Sequence, residues 1–174
     1  MGTGMLLINC DTIPDSLTEG GTGSNSDNFT QPQILPDKFE SGTSNLIGIT
    51  GLDGGLNFVR KQGIKNIFKK EMYLILKAYR ALKNNKRVIL YTNEPDYINY
   101  VPVLSFNIKD IDCETVSRIL SGKYNIATRA GLHCAPLAHK SYNTFDIGTV
   151  RIVPSVYTSE NDINSFINAV YKIK

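Results

Sequence analysis

Between Arg129 and Lys140 the chain reads RAGLHCAPLAHK, which sets one cysteine, Cys134, between His133 and His139, with Arg129 upstream and Pro136 just beyond. Three chemistries compete for such a thiol: sulfur nucleophile, metal ligand, or small buried hydrophobe. A closed zinc site wants four ligands, and HC-x4-H supplies three with no second Cys/His pair at a suitable spacing, so no metal site is expected. Gly131 and Pro136 mark the stretch as a loop, which puts Cys134 near the surface at the end of a strand, where loops tend to carry chemistry. A free thiol is mostly un-ionised near neutral pH, and Arg129 or a protonated His133 would raise the reactive fraction. A nucleophile is feasible there.

Two further features bear on chemistry. Arg151 stands in the middle of TVRIV, and a guanidinium inside an apolar strand is costly unless paired. Its planar fork suits a carboxylate bidentately, and a structural salt bridge would account for it equally well. The Gly-Thr segments GGTGSNSDN and FESGTSN carry amides and hydroxyls of the kind that cradle a phosphate. Neither is a Walker loop, and flexible turns explain them as readily.

The elements that must position these residues follow from patterning. Met5 to Ile8 reads as a short buried strand, and Leu17 to Gln33 as a polar, turn-rich loop. Leu46, Ile49, Leu52, Leu56 and Val59 recur at helical spacing with Gly63 as the stop, and IKNIFKKEMYLILKAYRALKNN then forms a second amphipathic helix. RVILYT and PVLSFNI are strand-like, and a helix centred on Val116 to Leu120 starts at Asp112 as its N-cap. Ile126 to Thr128 and Thr149 to Val153 are further strands, and a helix capped by Ser159 closes the chain. Helices and strands mixed in this way predict a small α/β layer.

At 174 residues and 41% apolar content the chain suits one sizeable core. The net charge of +3 hides an asymmetry: residues 1–59 hold seven acids against Lys38 alone, and residues 60–87 hold ten Lys or Arg against Glu71 alone. That basic run reads first as the solvated face of its helix and second as a partner-binding surface for nucleic acid through phosphate contacts. Against the second reading, its aromatics Phe68, Tyr73 and Tyr79 mainly follow the apolar stripe and do not alternate with the cations. Cys10, Cys113 and Cys134 form no C-x-x-C pair, so free thiols are expected. The opening MGTGMLLIN fits neither a secretory signal nor a membrane span, which predicts a cytoplasmic protein with no membrane partner.

Taken in order, GTG-M-LLI, GGTGS, LPDKFESGTSN, GI-GL, IATRAGLHCAP and GTVR, followed by a terminal helix, resemble the C-terminal half of a class V aminotransferase of the cysteine desulfurase group. The resemblance spans nearly the whole chain, and IATRAGLHCAP is its most specific piece. It implies part of a fold type I enzyme dependent on pyridoxal 5'-phosphate: residues 1–58 as the tail of the large cofactor domain, residues 59–174 as the small C-terminal α/β domain. It further implies a homodimer with sites at the subunit interface, L-cysteine as substrate, and a sulfur acceptor protein as partner. In such enzymes the cofactor is an electron sink for bound L-cysteine, and a loop cysteine attacks the substrate sulfur, giving alanine and an enzyme persulfide.

Carried over by position, Cys134 resembles the persulfide-forming nucleophile and Arg151 the grip on the substrate carboxylate, both facing one pocket. Thr43 resembles the hydroxyl that reaches a partner subunit's cofactor phosphate, and Arg129 and His133 resemble supports of the cysteine loop. The family's Schiff-base lysine would fall just before Met1, and no lysine within the chain stands in the matching context. The resemblance therefore predicts a truncated desulfurase-like chain, inactive alone. Selenocysteine lyase activity or another class V aminotransferase reaction remains an alternative, as does a non-enzymatic module using the basic helix.

Overall fold

A computed structural model describes residues 2–9, 13–24 and 27–173. Cys10, counted above among the free thiols, lies outside the described residues, as do Asn25 and Ser26 of the first Gly-Thr segment. The chain divides into two compact units, the first ending at Gln62 and the second starting at Gly63. Among the described residues no helix is long and apolar enough to cross a membrane.

The first unit is mostly irregular chain followed by α1 (Leu46–Gln62). Its two Gly-Thr segments are laced together: the Gly42 amide donates to Gly21 O at 2.9 Å, and the Gly20 amide donates to the Gln31 carboxamide at 3.1 Å. Gln31 in turn donates to Asp37 O at 2.7 Å, so one buried amide side chain satisfies backbone groups on both sides of the loop. The strand expected at Met5 to Ile8 does not form: these residues are irregular and exposed, Leu7 to 83%. A strand needs a neighbour for its ladder, and this unit has none among its described residues. The helix expected from Leu46 is present, and none of its residues is buried.

The second unit carries the core. Its elements are α2 (Ile64–Lys83), β1 (Val88–Leu90), β2 (Leu104–Ile108), α3 (Cys113–Tyr124), β3 (Arg129–Gly131), α4 (Pro136–Ser141), β4 (Thr149–Ile152) and α5 (Glu160–Lys172). The strands form one antiparallel sheet in the order β1-β2-β4-β3. Met72, Ile75, Tyr79 and Leu82 of α2 recur every three or four residues and are all buried. Asp112 caps α3 by accepting from the Thr115 amide at 2.8 Å. Ser159 and Asp162 close a capping box at the start of α5, which presents Ile163, Phe166, Ala169 and Val170 to the interior. Phe106 of β2 and Phe166 of α5 meet edge to face, ring centres 5.7 Å apart.

Strand alternation sends Leu104, Phe106, Val150 and Ile152 into this core and leaves Ser105, Asn107, Thr149 and Arg151 for the opposite face. The strand expected at Ile126 to Thr128 is displaced to Arg129–Gly131. Asn125 ends α3 in the left-handed conformation (φ 55°), and the Ile126 amide is spent on Leu120 O at 3.0 Å, closing the helix instead of joining a ladder. On the outer side of α2 the cations are partly neutralised: Lys77 pairs with Glu160 at 2.8 Å and Arg80 with Glu94 at 2.7 Å.

Candidate functional site

The polar face of the sheet builds the site from three strands. In register across it stand Ser105 of β2, Arg151 of β4 and Arg129 of β3. One step along, Thr149 faces Gly131, whose positive φ (100°) lets β3 turn sharply into the loop that follows. Asn107 clasps the entry to β4: its amide donates to Gly148 O at 2.9 Å and to the Tyr91 hydroxyl at 2.9 Å, and its carbonyl accepts from the Val150 amide at 3.3 Å. A buried side chain with every group engaged fixes where Thr149 and Arg151 stand.

The cysteine loop is a tight turn. The Ala135 amide donates to Leu132 O at 2.8 Å, and both central residues, His133 (φ 54°) and Cys134 (φ 59°), are left-handed, the arrangement of a primed turn normally filled by Asn and Gly. Two side-chain-bearing residues held in that region store strain, and strain of this kind gathers at functional sites. Pro136 then opens α4 at a position where its missing amide proton costs nothing.

The turn parts its two central side chains. His133 joins a cavity of about 200 Å³, lined also by Tyr91, Ser105, His139, Thr149 and Arg151. Cys134 is exposed and is not among the residues lining that cavity, contrary to the expectation of one shared pocket with Arg151. Arg129 links the two places: it lies opposite Arg151 in the sheet and its Nη2 reaches Cys134 Sγ at 3.6 Å.

Electrostatics divide the two helpers proposed for the thiol. Burial and then the Arg151 guanidinium, with His139 and Arg129 adding to it, hold the His133 ring below the usual histidine range. His133 is therefore neutral near pH 7, and Arg129 is the cation beside Cys134. Arg151 has no carboxylate partner among the described residues, and its Nε is buried without a hydrogen bond, which sets aside the structural salt bridge considered for it. His133 Nδ1 is buried without a partner as well, whereas the other ring nitrogen, Nε2, lies 3.2 Å from Thr149 Oγ1.

His139, the second histidine of HC-x4-H, is buried with Nδ1 at 2.8 Å from Thr144 Oγ1. Among the described residues no group of three or more His, Cys, Asp or Glu is placed to hold a metal ion. Cys113, the other described thiol, is buried and donates to Ile147 O at 3.3 Å. Thr43 lies in the first unit, exposed, one residue after the left-handed Gly42 and just ahead of α1. Thr149, Ser105 and Asn107 were not singled out by the sequence reading. The signal for them was present: polar residues at every second position of otherwise apolar strands, in TVRI and LSFNI.

The model of the family "Aminotransferase class-V" matches residues 1–166. A cysteine desulfurase of Wigglesworthia glossinidia brevipalpis is 36% identical over 142 residues, covering 80% of this chain and 32% of that protein. A probable cysteine desulfurase of Methanothermobacter thermautotrophicus is 30% identical over 168 residues, covering 94% of this chain and 41% of that protein. Among solved structures, the apo cysteine desulfurase of Thermococcus onnurineus NA1 superposes with a TM-score of 0.69 at 29% identity, over 78% of this chain and 32% of that one. The chain thus spans 32% and 41% of the length of these two curated relatives.

Proposed function

The chain belongs to the class-V aminotransferase family, and from that premise we propose that it carries the sulfur-receiving part of a cysteine desulfurase site. Cys134 takes sulfur from bound L-cysteine as a persulfide, Arg151 grips the substrate carboxylate, and Arg129 and His133 support the cysteine loop. The observation that supports this reading most is Arg151: a guanidinium at the wall of a small cavity, without a carboxylate partner among the described residues and with a buried Nε left over. Such a group calls for an anionic ligand, and the bidentate match to a carboxylate is the simplest one.

The transfer balances as follows. The Cys134 thiolate attacks the substrate sulfur, a sulfur–sulfur bond forms, and the carbon–sulfur bond breaks with its electron pair left on carbon. That carbon takes up a proton, so thiol plus L-cysteine becomes persulfide plus alanine. Members of the family bind pyridoxal phosphate, which when bound draws electron density from the amino acid and makes its sulfur open to attack. The cavity fits the amino-acid end of such a substrate through Arg151 and the hydroxyls of Tyr91, Ser105 and Thr149. No lysine is among its described lining residues, so the reading assigns this chain the thiol and the carboxylate grip, and no covalent anchor for the cofactor. Thr43 is assigned to the cofactor phosphate of a partner subunit in a homodimer, and a sulfur acceptor protein is the persulfide's destination.

The test has two arms. The chain alone, given pyridoxal phosphate and L-cysteine, is expected to release no alanine; turnover at the rate of a complete desulfurase would show that a covalent anchor is present after all. Co-expressed with the N-terminal part of a related desulfurase, it is expected to gain one sulfur atom on Cys134 by mass spectrometry, and Cys134→Ala to abolish the gain. Labelling that persists in Cys134→Ala, or sulfur found on Cys113, would remove Cys134 from its role.

A further inference from the structure

Leu90, the last residue of β1, pairs with Phe106 and packs against the core. Strand alternation turns the next residue, Tyr91, to the opposite face, and the same register brings it beside Ser105, which pairs with Arg151. Tyr91, Ser105 and Arg151 thus stand in one row across the polar face, and all three line the cavity of about 200 Å³. Tyr91 is only half-buried and also borders a second hollow, of about 340 Å³, with Thr92, Tyr100 and Tyr142, so it is not sealed within the packing. We infer that Tyr91 is a further ligand-binding residue of the cavity, a neutral O–H donor that selects for an acceptor oxygen on the amino-acid ligand, and that Asn107 is the positioning residue that assigns it this role. The inference deepens the substrate pocket proposed above and rests on it.

Two backbone groups fix which way the Asn107 carboxamide faces. Gly148 O can only accept and the Val150 amide can only donate, so the Asn107 nitrogen belongs at the first and its oxygen at the second. A flipped carboxamide would set oxygen against oxygen and N–H against N–H. The 2.9 Å contact to the Tyr91 hydroxyl leaves from that same nitrogen, which has two protons and no acceptor capacity. The phenol oxygen is therefore the acceptor in this bond. Its own proton has no acceptor among the described residues. Burial raises the phenol pKa above its ordinary value, so the proton stays in place throughout the neutral range.

The consequence is selectivity. A hydroxyl with a free neighbour can turn either its proton or its lone pairs toward a ligand, but one already accepting from a fixed N–H has its proton to offer. A carboxylate has two oxygens with lone pairs to spare and no proton to give, so it can take the Arg151 guanidinium and a phenol O–H together. The phenol adds a donor to the cavity wall without adding a second positive charge next to Arg151. Asn107 ties this donor to the rest of the site, because the carboxamide that orients Tyr91 also holds Gly148 and Val150 on either side of Thr149.

The test is carbon-13 NMR on the full 174-residue chain labelled at tyrosine Cζ, with the Tyr91 signal assigned by its loss in Tyr91→Phe. L-alanine, the product of the proposed reaction, is expected to shift that signal in the parent, and ethylamine, which has the amine but no acceptor oxygen, is not. Tyr91→Phe removes the hydroxyl and keeps the ring; it should weaken alanine binding about tenfold, the range expected for one hydrogen bond to a charged group. The Cζ signal separates contact from support, since a tyrosine that merely braced Asn107 would weaken binding when replaced and yet stay unmoved by alanine in the parent. A Tyr91 signal unmoved at saturating alanine, or parental affinity in Tyr91→Phe, overturns the inference and leaves the pocket standing, provided Arg151→Gln still loses alanine. Alanine binding indifferent to Arg151, or none at all, overturns the substrate pocket itself and the inference with it.

Discussion

Arg129 and Arg151 stand directly opposite each other on β3 and β4, two guanidiniums on one face of the sheet, and neither is paired with a carboxylate among the described residues. Like charges in that position oppose strand pairing by a few tenths of a kcal/mol to about 1 kcal/mol, so the pair is a cost that the fold bears for something else. Arg129 has a use: its Nη2 lies 3.6 Å from Cys134 Sγ. Arg129→Gln is therefore expected to leave the fold intact, or slightly more stable, and to slow alkylation of Cys134 by iodoacetamide several-fold. Buried Cys113 provides an internal control in the same mass-spectrometric measurement. Unchanged alkylation would mean that the contact has no bearing on the thiol.

His133 gives the molecule a pH dependence whose sign is fixed. Its pKa is lowered in the folded state, first by burial and next by Arg151, so the unfolded chain binds the proton more readily than the folded one. At pH values above the ordinary histidine range the ring is neutral in both states and contributes no difference. As pH falls through that range and on through the lowered folded value, the folded state loses stability relative to the unfolded. Urea titrations at pH 8 and pH 5 should show a smaller acid loss in His133→Gln than in the parent. An equal loss in both would place the acid sensitivity elsewhere.

How much of this was readable from sequence depends on whether the deciding interaction was local. Asp112 and Ser159 announced their helices because a capping side chain bonds the backbone two or three residues away. The residues of the cysteine loop could be named from IATRAGLHCAP, but not the turn that separates His133 from Cys134. Nothing in a His-Cys pair predicts two consecutive left-handed residues, and the conformation is imposed by β3 before it and α4 after it. β3 itself was misplaced because Arg-Ala-Gly carries no strand preference of its own; it pairs because β4 presents an open edge to it. Met5 to Ile8 erred the other way, a strand-like composition with no strand beside it.

Gly148 tests how tightly the root of the site is packed. It sits at φ 59°, and a Cβ there would come within 2.9 Å of Gly131 Cα and 3.0 Å of Cys113 Sγ. The first of these is backbone of the strand that leads into the cysteine loop, so it cannot swing aside as a long side chain would. Gly148→Ala is expected to cost about 2–4 kcal/mol in chemical denaturation, combining left-handed strain with overpacking. Gly122→Ala serves as the contrast, since a Cβ there meets nothing and the residue lies within α3, where alanine is the better helix former. If both substitutions were equally tolerated, the close approach of Gly148 to Gly131 would not exist in solution.

Arg151 should show the opposite relation between stability and use. A guanidinium whose Nε is buried without a partner holds the folded state back, because the desolvation it suffers is not returned by any bond within the described chain. Replacing it by methionine keeps most of the volume and removes the stranded donor. Arg151→Met is thus expected to raise the unfolding free energy by about 1 kcal/mol, in line with apolar replacements of buried charge elsewhere, and to abolish binding of L-alanine by the full chain. Lysine is the informative intermediate: it restores the positive charge without the planar fork, so weak alanine binding should return without the affinity of the parent. Calorimetric titration of the three chains, read beside their denaturation midpoints, checks both halves. A loss of stability in Arg151→Met would show that the guanidinium serves the fold, and the carboxylate grip would then lose its strongest support.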